Sequence, residues 1–557
     1  MRPSAPELSW RWQNPVPQGQ FLFGVWASAP DDVFAVGDAG VILHFDGVTW
    51  SFMDSGTLKG FEDIWGSAPD NVFAVGDDGM ILHFDGASWR PVDSGTDRRL
   101  WDIWGTSGGD VFAVGEAGTI VHYDGNEWRP VMSNTTGLLR GVWAAPTGEV
   151  FAAGTGGTIL RYDGRVWEEI FTADAITFRG IWGSAADNVF AVGNLGRTGT
   201  IFRYDGTDWT PAYGNSSDRF LAVWGADSSH VFAADFDGGI TRFDGSVWQP
   251  MASGVGNELW DVWGTSGDNV FSVGAFGIIL NFDGTRWESW HRGDISLLLD
   301  VWAADTGDAF AVGTRGTILS NATGSWERVP SGTSQSLKAT WGAASDNVFA
   351  VGDGGVILRY DGQDWQPMQS GTLLTLTGVW GASASDVFAV GRDSLVLHYD
   401  GSGWNPMGGV PGANLRAVWG TSGSDVYAVG VQGALLYYDG VDWSAKESGT
   451  DRTLLDVWGS DPDHFFAVGT SGTILHFDGI SWKEQASGTT LSLHSVWGDG
   501  EDDVFAVGDQ GIILHHDGVA WHRLRSVTTM RLTGVAGVSF QEVYAVGSTG
   551  TVLRYGP

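Results

Sequence analysis

An Asp-Gly pair recurs along the chain, its aspartate standing at Asp46, Asp85, Asp124, Asp163, Asp205, Asp244, Asp283, Asp361, Asp400, Asp439, Asp478 and Asp517. Carboxylates this regular could bind calcium or transfer protons. An Asp before Gly also accepts hydrogen bonds from its own turn amides, and a dozen repeats of one turn are the simpler reading. A few residues before most of these pairs stands a histidine (His44, His83, His122, His398, His476, His515) or an arginine (Arg161, Arg203, Arg242, Arg359; Arg554 near the C-terminus). A metal site would not accept arginine, so this position reads as a structural hydrogen-bond donor. Asp235-Phe236-Asp237-Gly238 is the one segment with the look of a calcium loop. Gly105-Thr106-Ser107-Gly108-Gly109 matches the Gly-x-Ser-x-Gly nucleophile pattern, but its siblings, such as Gly66-Ser67-Ala68-Pro69, place it in an inter-strand turn without a strand-to-helix elbow. There is no zinc-protease motif and no phosphate loop. No residue is therefore assigned as catalytic or metal-binding, no cofactor is expected, and the chain reads as a non-enzyme.

Binding residues are sought where the repeat varies. Two residues before the second conserved apolar position of one short strand, the sequence offers Glu62, Trp101, Arg140, Arg179, Leu221, Trp260, Leu299, Lys338, Thr377, Arg416, Leu455 and His494. Packing would not accept that variety, so the slot is expected to face solvent at a channel or loop face. Trp101 and Trp260 are the candidate stacking platforms for a sugar or peptide, with Arg140, Arg179, Arg416 and His494 as polar candidates. Loops such as Thr96-Asp97-Arg98-Arg99 lie on the same side.

The elements that hold these positions follow from the tryptophans. Trp50, Trp89 and Trp128 lie 39 apart, as do Trp26, Trp65 and Trp104, and the period persists with one three-residue insertion near Asn194-Leu195-Gly196-Arg197-Thr198. In the second series the fourteenth slot holds Ala536. A period near 40 indicates a solenoid or a propeller. Within one unit, Leu100–Trp104, Val111–Val114, Thr119–Tyr123 and Trp128–Val131 read as four short strands separated by Gly and Asp turns, with no helical period. Apolar residues on both faces, as in Val72-Phe73-Ala74-Val75, suit a sheet sandwiched between neighbours. The expected fold is all-β, a β-propeller of fourteen four-stranded blades. Leu8-Ser9-Trp10-Arg11-Trp12 resembles a lone fourth strand, and Thr551–Tyr555 a third strand lacking its fourth, so the N-terminal strand is expected to close the last blade. Two seven-bladed rings, residues 1–286 and 287–557, are the favoured arrangement, and a single fourteen-bladed ring over 1–557 is the alternative. At ~150–250 Å² buried per aromatic side chain and ~25 cal/mol per Å², each Trp contributes about 4–6 kcal/mol before ordering entropy.

Composition narrows the partners. With 30 Lys and Arg against 66 Asp and Glu, the net charge is −36, which repels phosphates and excludes nucleic acid and anionic membranes. No apolar stretch is long enough to insert in a bilayer. The absence of cysteine removes disulfides and thiolate chemistry. Met1-Arg2-Pro3-Ser4-Ala5-Pro6-Glu7 lacks the apolar core of a signal peptide, while the acidity leans the expectation towards an extracytoplasmic setting.

The unit Ile64-Trp65-Gly66-Ser67-Ala68-Pro69-Asp70-Asn71-Val72-Phe73-Ala74-Val75-Gly76, followed by Leu82-His83-Phe84-Asp85-Gly86-Ala87-Ser88-Trp89, resembles bacterial propeller repeats of the tectonin and Asp-box kind. The turn departs from the usual Asp-box by lacking the residue between Asp and Gly. The resemblance implies a fold shared by lectins, sialidase-like propellers and adaptors, and sugar binding between blades or at loop faces. The expected function is a binding scaffold for a glycan or protein partner. The alternatives are a purely structural assembly protein and a divergent hydrolase or lyase, which would need a cluster of acids with perturbed pKa in one channel.

Overall fold

The computed structural model describes residues 8–13, 20–215, 218–290, 296–408 and 410–556. They form fourteen antiparallel four-stranded sheets. The only helical elements among the described residues are three-residue 3-10 turns such as Asp77–Gly79. One sheet is typical: Leu100–Ser107, Asp110–Gly115, Ile120–Tyr123 and Trp128–Val131, paired in that order. The second strand is buried throughout its apolar length because it is covered on both faces.

Two turn devices repeat. In all twelve Asp-Gly turns the aspartate Oδ1 accepts two backbone N–H groups, as Asp85 does from Ala87 (3.1 Å) and Ser88 (2.9 Å), and those bonds hold its carboxyl below the usual range. At the turn after the second strand the chain takes positive φ twice, as at Asp78 (53°) and Gly79 (68°). A Cβ on Gly79 would come within 2.1 Å of the Thr96 carbonyl oxygen, so glycine is required there.

Neighbouring sheets interlock through tryptophan. The fourth-strand Trp128 packs edge-on to Phe73 of the preceding sheet. The first-strand Trp26 lies over Gly66 of the following sheet, where a Cβ would meet its ring at 2.8 Å. The Trp-Gly dipeptide thus encodes inter-sheet contact: the glycine is the seat of the previous tryptophan, except at Gly459, where Phe465 takes the space and the Trp419 indole donates to the Gly459 carbonyl (3.0 Å).

The chain divides into two compact units, Gly19–Arg292 and Met1–Gln18 with Gly293–Pro557. In the contiguous unit, Gly19–Arg292, the first strands of seven sheets pack in succession, and the last, Leu259–Ser266, returns to the first, Leu22–Ala29. There the Val25 N–H donates to Asp261 Oδ2 (2.9 Å). Trp290, beyond the last strand, packs against Phe45 (ring centroids 4.8 Å apart) and Phe271 (5.4 Å). In the split unit, Leu532–Ser539 returns to Leu298–Ala303, and the Thr533 hydroxyl donates to the Leu298 carbonyl (2.6 Å). Ser9–Trp12 supplies the fourth strand of its last sheet by pairing antiparallel with Val552–Gly556, Trp10 opposite Tyr555. The N-terminal strand therefore completes the last sheet, as the sequence suggested.

Candidate functional site

The seven first strands of the contiguous unit line one cavity. A register shift interrupts each first strand here, as between Phe61 and Asp63, and two successive positions, such as Glu62 and Asp63, both line the cavity. The variable slot forms the mouth: Phe23, Glu62, Trp101, Arg140, Arg179, Leu221 and Trp260 all line it. Lys338, Thr377, Arg416, Leu455 and His494 line the corresponding cavity of the split unit. The six candidate residues are thus divided between two cavities: Trp101, Trp260, Arg140 and Arg179 in one, Arg416 and His494 in the other.

At the first mouth, Arg140 stacks over the Trp101 ring at 4.2 Å and Arg99 lies 5.1 Å from it. Trp101, the expected stacking platform, therefore carries guanidinium on its ring. Trp260 makes edge contacts with Phe23 (5.4 Å) and Phe236 (6.3 Å). Arg99 pairs with Glu62 (3.3 Å) and with Asp77. Burial pushes the Glu62 carboxyl up to about 7, against the lowering by Arg99. In the split unit two of the lining charges are paired: Lys338 with Asp353 (3.1 Å), and His494 Nε2 with Asp509 (2.9 Å), which also accepts from Arg531.

The layer below the mouth is one the sequence reading missed. It holds Asp63, Asp102 and Asp261 in the contiguous unit, and Asp300 and Asp456 in the split one. Each reaches to the next sheet. Asp63 Oδ2 accepts from Ile103 N (3.0 Å), Asp102 from Val142 N (2.7 Å), Asp300 from Thr340 N (2.8 Å) and Asp456 from Val496 N (2.9 Å). Elsewhere this position is Gly, Ala or Ser, since the strands approach closely: a Cβ on Gly24 would meet the Asp63 Cα at 2.7 Å. A restriction to small residues or Asp was the available signal. Burial raises all five carboxyls, Asp102 to about 7, Asp300 to about 8 and Asp456 to about 6. Asp63, additionally raised by Asp102 and hydrogen-bonded to it, holds its proton well above the ordinary range. So do burial and Asp63 raise Asp261.

The floor is formed by Trp104 and Trp263, whose rings meet 5.0 Å apart from the third and seventh sheets. The residues that should seat them are Ala144 and Ala27 in place of glycine, and the indole of Trp263 instead donates to the Ala27 carbonyl (3.3 Å). Two missing glycines thus turn two tryptophans into the cavity.

Other expectations resolve locally. His44, His122 and His398 donate or accept at 2.7 Å with Asp32, Asp110 and Asp386, and Arg161 pairs with Glu149, as structural groups. Asp235 and Asp237, the segment with the look of a calcium loop, take part in turn hydrogen bonds and an ion pair. Asp235 Oδ1 accepts from the amides of Asp237 and Gly239 (both 2.8 Å), and Asp237 pairs with Arg219 (3.0 Å). Among the described residues no three His, Asp or Glu side chains are placed to hold a metal.

No family model matches the chain, and no curated protein matches it. Solved structures do. The GH74 enzyme of Niastella koreensis superposes with a TM-score of 0.59 at 14% identity over 98% of this chain and 99% of that one. PorZ, a surface component of the type-IX secretion system of Porphyromonas gingivalis, gives 0.66 at 11% identity over 98% and 86%. YCF48 from Cyanidioschyzon merolae gives 0.40 at 19% identity over 49% and 98%. The fold is a β-propeller. At these identities the propeller fold is all that is shared, and the finer resemblance to tectonin and Asp-box repeats has no family match behind it.

Proposed function

We propose that the chain is a non-enzymatic binding scaffold, each circuit of seven blades acting as its own ring, and that the mouth of the contiguous unit takes a glycan or protein partner. One observation carries this reading: the mouth is built from the most variable residues of the repeat, while the carboxylates beneath them are tied by backbone amides to the next blade. A rigid wall with a varied rim is the arrangement binding scaffolds use. The test is a broad glycan array beside capture of partner proteins, with wild type and Trp260→Ala of unchanged melting temperature. Binding lost in the variant supports the reading, and binding that ignores the mouth refutes it.

A second reading rests on a specific observation. Glu62, pushed up to about 7 by burial in the cavity that Asp102 also lines, has the proton affinity of a general acid, as a hydrolase or lyase would need. Turnover of any polysaccharide by wild type, abolished in Glu62→Gln with binding retained, would favour it.

A further inference from the structure

The mouth of the contiguous unit contains an unmet demand for an anion. Arg140 and Arg179 stand at the same slot of adjacent blades, both half-buried on the cavity wall. The Nε of each is buried with no acceptor, and among the described residues neither guanidinium forms an ion pair. This is costly: burial disfavours the charge on both, and Arg179 adds its repulsion on Arg140, bringing Arg140 down to about 10. In a chain of net charge −36 with 30 basic residues, carboxylates to pair them are abundant. Arg99, one layer away, has two, whereas Arg140 spends its face on Trp101 and leaves its N–H edge unpaired.

The chemistry of the missing partner follows from the wall. Two planar guanidiniums present fork-shaped donors that match a carboxylate bidentately. A dianionic phosphate would bring a second charge into a field the acidic chain already makes negative, so a monoanion is the better match. The opposite arc of the mouth, Phe23, Leu221 and Trp260, is apolar. We propose that the mouth captures an organic carboxylate, its oxygens between Arg140 and Arg179 and its apolar or ring face against Phe23, Leu221 and Trp260. This rests on the scaffold reading and names the ligand chemistry at that site. Two sources supply it: the uronic acid of a glycan and the free C-terminus of a peptide.

The experiment uses the full chain and isothermal calorimetry with four probes: oligogalacturonate, its methyl ester, a hexapeptide library with free C-termini, and the same library amidated. Each is titrated into wild type, Arg140→Gln, Arg179→Gln and the double variant, with melting temperatures as the folding control. The expected result is that one free-acid probe binds at least about tenfold more tightly than its neutral counterpart. That preference falls at least about tenfold in each single variant, as expected for charge-assisted hydrogen bonds. Preference for oligogalacturonate assigns the sugar source, and for the free-terminus library the peptide source. Equal binding of acid and neutral probes, or acid binding unchanged in folded Gln variants, overturns the carboxylate inference while leaving the scaffold intact. Binding of no probe overturns it too, and the scaffold is then judged by the array and capture experiment alone. Should both single variants fail to fold, Arg140→Lys and Arg179→Lys, which keep the charge and lose the fork, must each weaken the preference for the acid; an unchanged preference in both refutes the proposal.

Discussion

Replacing Asp300 with Asn tests whether the inter-blade aspartates carry protons in the folded protein. Its Oδ2 accepts from Thr340 N (2.8 Å) and its Oδ1 from Val301 N (2.9 Å), while burial pushes the carboxyl from 3.8 to about 8. A pKa raised on folding gives stability that is complete below the unfolded value and is lost as pH rises through the folded one, at ~1.4 kcal/mol per pH unit between them. Because Asp300 lines a water-accessible cavity, roughly half of that range, ~3 kcal/mol, is the loss to expect between about pH 4 and about pH 8. A carboxamide does not titrate, so this decline disappears in Asp300→Asn. The amide also points an NH2 at one of two N–H donors, which costs about 1–3 kcal/mol at all pH values. The variant should therefore be clearly less stable than wild type at about pH 4.5 and close to equal, or more stable, at about pH 8.5. Scanning calorimetry of both proteins across pH, following the transition of the split unit, reads the difference. Parallel curves for wild type and variant would show that Asp300 titrates normally and that burial is not what sets the inter-blade carboxyls.

Trp290→Ala should lower the melting transition of the contiguous unit by about 3–5 kcal/mol equivalent and leave the other transition in place, since its ring fills the contact with Phe45 and Phe271. Gly66→Ala drives a Cβ into Trp26 and should cost about 1–3 kcal/mol by chemical denaturation. Restoring the missing seat with Ala144→Gly should let Trp104 leave Trp263, read as a change in tryptophan fluorescence with little change in stability. Removing residues 1–13 should unpair Val552–Gly556, lower the transition of the split unit and promote association through the bared edge, measured by light scattering.

The period of 39, the four strands and the closing N-terminal strand were legible because each follows from local alternation, turn chemistry and a repeated aromatic. The variable slot was legible as a group because packing does not accept Glu, Trp, Arg and Leu alike, and its six members read from the sequence in the contiguous unit line one cavity with Phe23 as a seventh, though Leu221 is buried there. Which ligand chemistry it offers was not legible. Trp101 reads as an open platform in the sequence, but Arg140 lies on its face, a contact between adjacent blades that no single repeat encodes. The aspartate layer escaped for a related reason. Asp63 looks like any polar residue of a short strand, and only the approach of the neighbouring strand reveals it as a clamp on Ile103. The Trp104–Trp263 floor depends on two glycines that other blades have and these lack, a signal that resides in what is not there.

The pairing of Ser9–Trp12 with Val552–Gly556 also orders events in time. At roughly 5–20 residues per second, a ribosome delivers the last strand about half a minute to two minutes after the first. Throughout that interval Trp10, which is 3% exposed in the finished molecule, has no partner, while every strand of the contiguous unit is already outside the ribosome for about half the time. The protein is therefore born in two instalments. Its nascent half-product carries an unpaired strand with Trp10 bare, tethered to a completed body, which is the species that chaperones and aggregation compete for.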